Sequence, residues 1–425
     1  MTTILAILLE RKTLGKFIKK NKDKKMNTKI YANDIKDDTL KQFREAMAQK
    51  CNIKGALMSD AHTGYTLPIG AVIRSKNVIF PAYVGYDIGC GVCAAKLDIL
   101  ASNIDLKALK DEILSRIPLT NHEKEQSVEL LPCSNVAKTA FGASGKYQLG
   151  TLGSGNHFIE VAKGEDEKLW LVIHSGSRGF GKIIAEYYMK KACEMKFDKK
   201  VCEKDFNKKH KKLLEHNKEA FEKSKQKFLA KAKDDFIKAN LEGHNGFDIS
   251  SELGKDYIAD MLCAMDFALK NRRAMIDEIK KALKSMLGKM PNEIAFINKC
   301  HNFAEFESGG NVLHRKGATS SKLGEYGVIP GNMRDGSFIV RGLGNKDALC
   351  SSSHGAGRAM SRAEARKNIS FAELSKEMSG ILSNHSEANI DEAPRAYKDI
   401  FEVMKAQSDL VEIKEHLKPI LNIKG

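Results

Sequence analysis

The sequence predicts an α+β fold: a mixed β-sheet core carrying a long lysine-rich helical insertion at about residues 182–290. Two observations lead there. Short apolar runs closed off by glycine and proline lie on both sides of a glycine-poor stretch with helical periodicity. These runs do not alternate regularly with helices, as the strands of a doubly wound sheet would. With 425 residues, 42% hydrophobic and only 8 prolines, the chain reads as a soluble globular protein able to bury a substantial core.

In chain order, the opening run Ile4 to Leu9 is too short to span a bilayer, which takes roughly 20 apolar residues. Its basic residues Arg11, Lys12, Lys16, Lys19 and Lys20 follow it, the reverse of a signal peptide, so no membrane association is expected. Lys19 to Lys25 is almost entirely charged. Residues 1–25 therefore read as a frayed basic extension or a misassigned start, with an RNA-touching arm as the sharper alternative; residues 26–425 form one domain. Residues 38 to 49 have helical spacing. Gly70 to Ile73 and Val78 to Val84 read as strands, the second leading into Gly85-Tyr-Asp-Ile-Gly-Cys-Gly91. Leu106 to Ile117 is helical again, and strands resume at His157 to Val161 and Lys168 to Ile173, each beside a glycine-rich turn. Within the insertion Ile258, Met261, Leu262, Met265 and Leu269 follow i, i+3, i+4 spacing and mark a core-facing stripe. After Pro291, strands return at 294–297, 327–330 and 337–340, and helices run from Ala359 to the end.

Lys plus Arg outnumber Asp plus Glu by 70 to 54, a formal charge of +16. Such a surplus suits a polyanion, nucleic acid or nucleotide first. The lysines of the insertion read mostly as a solvated helical face. Nine cysteines, odd in number and scattered, do not form a disulfide framework and point to a reducing cytoplasm.

Five residues stand out as metal ligands: Asp87 and Cys90, His157, His174 and His301. Each sits at a strand end or tight turn, positions that deliver side chains rigidly to one cavity. Taken singly, each histidine reads better as structural; the five together reverse that. A mixed nitrogen, oxygen and sulfur set suits a borderline transition metal. Five ligands exceed one tetrahedral zinc with an open position, so two metals sharing a ligand fit better. Cys90 with Cys93 could form a redox pair or half a zinc knuckle, but a second C-x-x-C is lacking. Gly150 to Gly155 and Gly176 to Gly181 run G-x-x-G-x-G, neither the dinucleotide fingerprint nor a Walker loop; they indicate close backbone packing. In Ser351 to Arg362, His354 lies among residues too small to hide it. That stretch alone reads better as a serine-capped helix with a solvated histidine. Beside the other motifs it reads as a nucleophile, with Arg358 as a phosphate fork.

The motifs Asp-Ile-Gly-Cys-Gly, Gly-Ser-Gly-Asn-His-Phe-Ile-Glu, His-Ser-Gly-Ser-Arg-Gly, His-Asn-Phe-Ala, His-Arg-Lys-Gly-Ala-Thr, Ile-Pro-Gly-Asn-Met, His-Gly-Ala-Gly-Arg and a terminal Ile-Lys-Gly occur in this order. Their order resembles that of the RtcB family of GTP-dependent RNA ligases, from about Met26 to Gly425. The resemblance implies an RtcB-like mixed-sheet core around a metal and nucleotide cleft. It implies joining of RNA 3′-phosphate or 2′,3′-cyclic phosphate ends to 5′-hydroxyl ends with GTP and two Mn²⁺ ions, in tRNA splicing or RNA repair. Asp87, Cys90 and His157 would hold one ion, and Cys90, His174 and His301 the other. His354 would become guanylylated. The guanylate would be lined by Asn156, His157, Phe158, Ile159, Glu160, His301, Asn302, Pro330, Gly331, Asn332, Met333, Ser337, His354, Gly355, Ala356, Gly357 and Lys424. Arg178 would clamp a phosphate or simply pair with a carboxylate; Asp60 and His62 would orient ligands or form a structural turn. Departures from the family pattern, Ser59, Val92, Cys93 and Asn332, remove no ligand. The competing readings are a metal-dependent phosphohydrolase or nuclease, and a non-catalytic RNA-binding module. The RNA sealed, the need for an activating protein and the oligomeric state stay open, with a monomer favoured.

Overall fold

The computed structural model describes residues 27–425, so the expectation for residues 1–25 lies outside the described residues. The larger sheet has eight strands. Seven run in the order Tyr326–Pro330, Ser337–Gly342, Val411–Lys424, Phe158–Lys163, Lys168–Ser175, Gly91–Leu100 and Glu293–Cys300, with every pairing antiparallel. Leu382–Ser383 adds a short parallel pairing to Val411–Lys424. The period-2 alternation of these strands gives the sheet two apolar faces. Cys93, Ala95, Ile159, Val161, Leu171 and Ile173 pack against Met275, Ile276 and Ile279 of the helix Glu252–Leu287. Their neighbours Val92, Ala94, Phe158, Ala162, Trp170 and Val172 pack with Val328, Ile339 and Leu417, joined by Ala295 and Ile297. Residues of the two end strands thus share one cluster, and an ion pair between Lys299 and Glu325 bridges them. The sheet is nearly closed on itself.

A second sheet of five strands runs in the order Thr28–Ile30, Asn52–His62, Ile69–Lys76, Asn311–Lys316 and Asn302–Glu307. Glu293–Cys300 of the first sheet and Asn302–Glu307 of the second are separated by one residue, His301. The chain crosses between the sheets there. A two-stranded ribbon, Ala318–Ser320 with Ser351–Ser353, lies beside the same junction and leads directly into His354.

The stretch predicted as a helical insertion is helical but not uniform. Arg178–Glu194 and Glu252–Leu287 bury wide apolar faces in the core. Lys199–Lys209, Lys211–His216 and Lys218–Asn240 bury little beyond Phe206, Phe221 and Ile237. The longest helix is started by the Ser251 side chain accepting from Gly254 N and ended by Gly288 at φ 72°. Its core stripe runs through Tyr257, Met261, Ala264, Phe267 and Ala268, while Leu262, expected in the stripe, is 41% exposed. The expectation of helices from Ala359 to the end fails for the last residues: after short helices at Arg362–Asn368, Phe371–Glu377 and Ile400–Lys405, Val411–Lys424 is a 14-residue strand central to the sheet. Val411, Leu417, Leu421 and Ile423 are buried, and its opening alternates apolar and charged residues, the period of a strand and not of a helix. No described helix is long and apolar enough to cross a membrane.

Candidate active site

Strand registry assembles the candidate metal-ligand groups. Phe158 pairs with His174, and Gly91 with both Ser175 and Cys300, so His157, His174, Cys90 and His301 meet at one edge of the sheet. Gly91 is required there, because a Cβ would lie 2.0 Å from Lys299 O. Gly176 packs equally close, since its Cβ would meet Asp87 Oδ1 at 2.1 Å. The glycine-rich turns therefore do what the sequence suggested: Asn271 of the long helix accepts from Gly150 N (2.7 Å) and donates to Gly176 O (3.3 Å), drawing both turns together.

His157 Nε2 lies 3.2 Å from Asp87 Oδ2 and 3.5 Å from Cys90 Sγ. His174 Nε2 lies 3.2 Å from Cys90 Sγ and 3.4 Å from His301 Nε2. Two ligand groups result, Asp87, Cys90 and His157, and Cys90, His174 and His301, with Cys90 common to both. Backbone carbonyls set the tautomers, as His157 Nδ1 donates to Leu152 O (3.0 Å) and His174 Nδ1 to Asn156 O (3.1 Å). Both Nε2 atoms then aim lone pairs at one another's neighbours, an arrangement that a cation relieves. Burial, reinforced by the neighbouring histidines, holds His174 and His301 well below the usual imidazole range, in the neutral form that ligates metal. Burial and then the Asp87 charge push the Cys90 thiol well up, so a thiolate here needs a metal beside it. For Asp87 the upward push of burial is outweighed by His157 and Arg178, and its carboxyl falls below the ordinary range. The donor set thus fits two transition-metal ions sharing a thiolate.

His354 stands next to this cluster, its ring centroid 4.6 Å from that of His301. Its Nδ1 donates to Asp60 Oδ2 at 2.7 Å, and its backbone N donates to the same oxygen at 3.2 Å. Asp60 is fully buried. Held this way, the ring keeps its lone pair on Nε2. The small residues around His354 bring the backbone close: Gly357, at φ 73°, has Asp60 O where a Cβ would sit, 2.1 Å away. Sequence reasoning preferred a turn role for Asp60. No spacing signal links it to a histidine 294 positions away.

One cleft holds both features. It is lined by Asp87, Cys90, His174, His301 and His354 together with Asn156, Phe158, Glu160, Asn302, residues 330–333, Gly355, Ala356, Gly357 and Lys424. Glu160 is buried with Oε1 lacking any partner; burial, opposed by Ser337 and Lys424, pushes its carboxyl up to about 8. Lys424 donates to Glu392 Oε2 (3.0 Å) and lies over the Phe158 ring. Glu392, which the sequence did not flag, also receives Arg358 (2.6 Å), Arg362 (2.7 Å) and Tyr397 OH (2.5 Å). Against the push of burial, Lys424, Arg358 and Arg362 hold its carboxyl at about 2. Four expected residues are not part of the cleft wall, His157 among them. Ile159 packs in the core on the opposite face of its strand, and Ser337 is fully buried beside Glu160, behind the wall. Arg178 lies behind His157, 3.4 Å from its Nδ1, and donates to Thr151 Oγ1 (3.2 Å).

The fold and site define a class: a curled mixed-sheet protein whose buried His/Cys/Asp cluster and carboxylate-oriented histidine open into one cleft. The family described as tRNA-splicing ligase RtcB matches residues 42–140 and 132–425. RNA-splicing ligase RtcB of Escherichia coli K12 is 35% identical over 401 residues, covering 87% of this chain and 90% of its own. tRNA-splicing ligase RtcB of Nanoarchaeum equitans is 28% identical over 504 residues, covering 95% and 97%. The chain belongs to the RtcB family.

Proposed function

We propose that this protein is a GTP-dependent RNA ligase that joins RNA 3′-phosphate or 2′,3′-cyclic phosphate ends to 5′-hydroxyl ends, in tRNA splicing or RNA repair, acting in the cytoplasm. Residues 26–425 act as one catalytic domain. The observation that carries the reading is His354, fixed at Nδ1 by Asp60, with Nε2 left free in the cleft that holds the metal-ligand cluster. A histidine so oriented can attack through Nε2, and His354 belongs to neither metal-ligand group.

His354 Nε2 attacks the α-phosphorus of GTP; the bond to pyrophosphate breaks and a phosphoramidate forms. A 2′,3′-cyclic end is first opened by water, which breaks the bond from phosphorus to the 2′-oxygen and leaves a 3′-phosphate. An oxygen of the 3′-phosphate then attacks the phosphorus of the guanylate, the nitrogen–phosphorus bond breaks, and the RNA end carries the guanylate. The 5′-hydroxyl finally attacks the 3′-phosphorus and GMP leaves. A bare 3′-phosphate offers no leaving group, so guanylylation turns one hard displacement into easier ones. Asp60 holds the ring tautomer and steadies the positive charge that the attacking imidazole gains. Two Mn²⁺ ions, held by Asp87, Cys90 and His157 and by Cys90, His174 and His301, would neutralise phosphate charge and lower the pKa of the attacking hydroxyl. Glu160 offers an unpartnered buried carboxyl to the N–H groups of a guanine edge. Lys424, Asn156 and the loop at 330–333 shape the rest of the guanylate pocket.

Incubation with α-labelled GTP and Mn²⁺ leaves acid-labile label on the wild-type protein and none on His354→Ala. Label persisting on that variant would overturn the assignment of His354, and metal-dependent cleavage of RNA without label would replace ligation with a hydrolase reading. A sealing assay with 3′-phosphate and 5′-hydroxyl RNA, with and without GTP, completes the test.

A further inference from the structure

Tyr65 is the feature of the cleft's surroundings that the proposed chemistry leaves unused. It lies in the loop between Asn52–His62 and Ile69–Lys76, whose flanking residues His62 and Ile69 both line the cleft. Its side chain is 70% exposed, an unusual position for a large aromatic. The backbone that presents it is rigid. Gln42 Nε2 donates to both Gly64 O (2.8 Å) and Tyr65 O (2.7 Å), Gln42 Oε1 accepts from Gly64 N (3.1 Å), and Thr39 Oγ1 meets Thr63 Oγ1 at 2.9 Å. The neighbouring Thr66 hydroxyl donates to Glu242 O.

A second aromatic backs it. Tyr86, adjacent in sequence to Asp87, meets Tyr65 edge to face with centroids 5.9 Å apart. The Tyr86 hydroxyl donates to Glu242 Oε1 at 2.7 Å, which fixes the ring and leaves its apolar body as what it contributes. Glu242 follows the helix Lys218–Asn240 by two residues, so the same turn ties the aromatic pair to the most lysine-rich part of the chain. The charges next to the pair are the acidic Glu242 and Glu186, so a rigid exposed ring and a supporting ring beside a metal-ligand residue are what this face offers a single strand, through base stacking.

We propose that Tyr65, backed by Tyr86, is a stacking platform for a nucleobase of the RNA strand that presents its 3′-phosphate to the metal cluster. The inference rests on the ligase reading and assigns the path by which the RNA end enters. Stacking on an aromatic tolerates any base, so the platform positions the strand without reading its sequence.

The test uses the full chain with Mn²⁺ and a single-stranded, 3′-phosphorylated RNA oligonucleotide carrying 2-aminopurine at its last or next-to-last position. Binding to the wild type quenches the fluorophore. Tyr65→Ala abolishes the quench and raises the Kd for the RNA roughly 5- to 100-fold, whereas Tyr65→Phe and Tyr65→Trp retain both. Equal Kd and equal quench in wild type and Tyr65→Ala overturn the platform, and so does loss with Tyr65→Phe, which would assign the effect to the hydroxyl. The measurement needs no catalysis, and label transfer from GTP to wild-type His354 is read in parallel. Failure of label transfer counts against the ligase reading, and failure of the quench counts against the platform alone.

Discussion

Asp60 is buried with its Oδ2 shared between the ring and the backbone N–H of His354, which leaves the imidazole one orientation and one tautomer. Asp60→Asn keeps the volume but can present an N–H to Nδ1, turning the ring proton to Nε2 and removing the attacking lone pair. The rate of label transfer from GTP is expected to fall by roughly 100-fold or more, while bound Mn²⁺, measured by elemental analysis, stays at the wild-type level because Asp60 is outside the metal-ligand groups. Wild-type rates in that variant would assign Asp60 to the fold. Glu160 makes a second, pH-resolved prediction. Its carboxyl is raised by burial from the ordinary 4.5 to about 8. Between those values the native state binds the proton more tightly than the unfolded chain does, so stability falls with rising pH across the window and levels off above it. Glu160→Gln has no proton to lose. Its melting temperature relative to wild type should be level below pH 4.5 and gain a few degrees by pH 8 to 9. A difference independent of pH would mean that Glu160 is not protonated in the native cleft.

The strand Gly91–Leu100 explains why two cysteines three positions apart in a C-x-x-C have different fates. Cys90 precedes the strand and turns into the metal cluster, whereas Cys93 falls on the face packed against the long helix. Cys90→Ala should lose Mn²⁺ and label transfer; Cys93→Ala should retain both and cost about 1 kcal/mol of packing. Equal loss of metal from the two variants would favour a Cys90/Cys93 pair. Helix Glu252–Leu287 holds the cluster from behind. Arg272, fully buried, donates to Gly89 O (3.0 Å) and Ser175 O (2.7 Å), the carbonyls beside Cys90 and His174, and to Asn298 Oδ1 (2.7 Å). Arg272→Met should cost about 3 kcal/mol in denaturant unfolding of the metal-free protein, since two buried carbonyls and the half-buried Asn298 lose a charged donor. The candidate ligand groups could be picked out in the sequence because each residue sits at a strand end or glycine turn, and His354 because its neighbours are small. Asp60, Arg272 and Glu392 were not, for a common reason. Periodicity tells which face of an element is buried, but not which distant backbone or side chain a lone polar residue on that face will meet. Arg272 in particular lies in a lysine-rich stretch that reads as a solvated surface until the helix is seen to be half core. The final strand was missed because its alternation holds only from Val411 to Ile413 before Glu415 and Pro419 interrupt it.

At the scale of the molecule, the charge is unevenly placed. Residues 199–240 hold 14 lysines against 7 acidic residues, a net +7 out of the chain's +16. Few of those lysines are matched in space: Lys199 with Glu203, Lys209 with Asp205 and Lys233 with Glu194 are surface pairs of little energetic weight. The helices that carry them bury few residues of their own, and self-repulsion within a cationic body disfavours its compact state. A polyanion relieves that repulsion, and the turn that follows these helices is bonded to Thr66 and Tyr86 at the side of the cleft where RNA is inferred to enter. Phosphates that displace condensed counterions make binding weaken linearly in log salt, with a slope of about −0.7 per contact for a single strand. Lys204, Lys208, Lys211 and Lys212 are exposed, and no ion pair occupies them among the described residues. Replacing these four with glutamine should flatten the slope by about 0.7 for each lysine that touches a phosphate, up to a total near 3. Affinity for GTP, proposed to bind in the cleft at the sheet edge, should not move. The slope is measured by titrating 3′-phosphate RNA from 50 to 300 mM KCl against wild type and the fourfold variant. An unchanged slope would return these helices to a solvated face and require the RNA to leave the cleft along another side of the molecule.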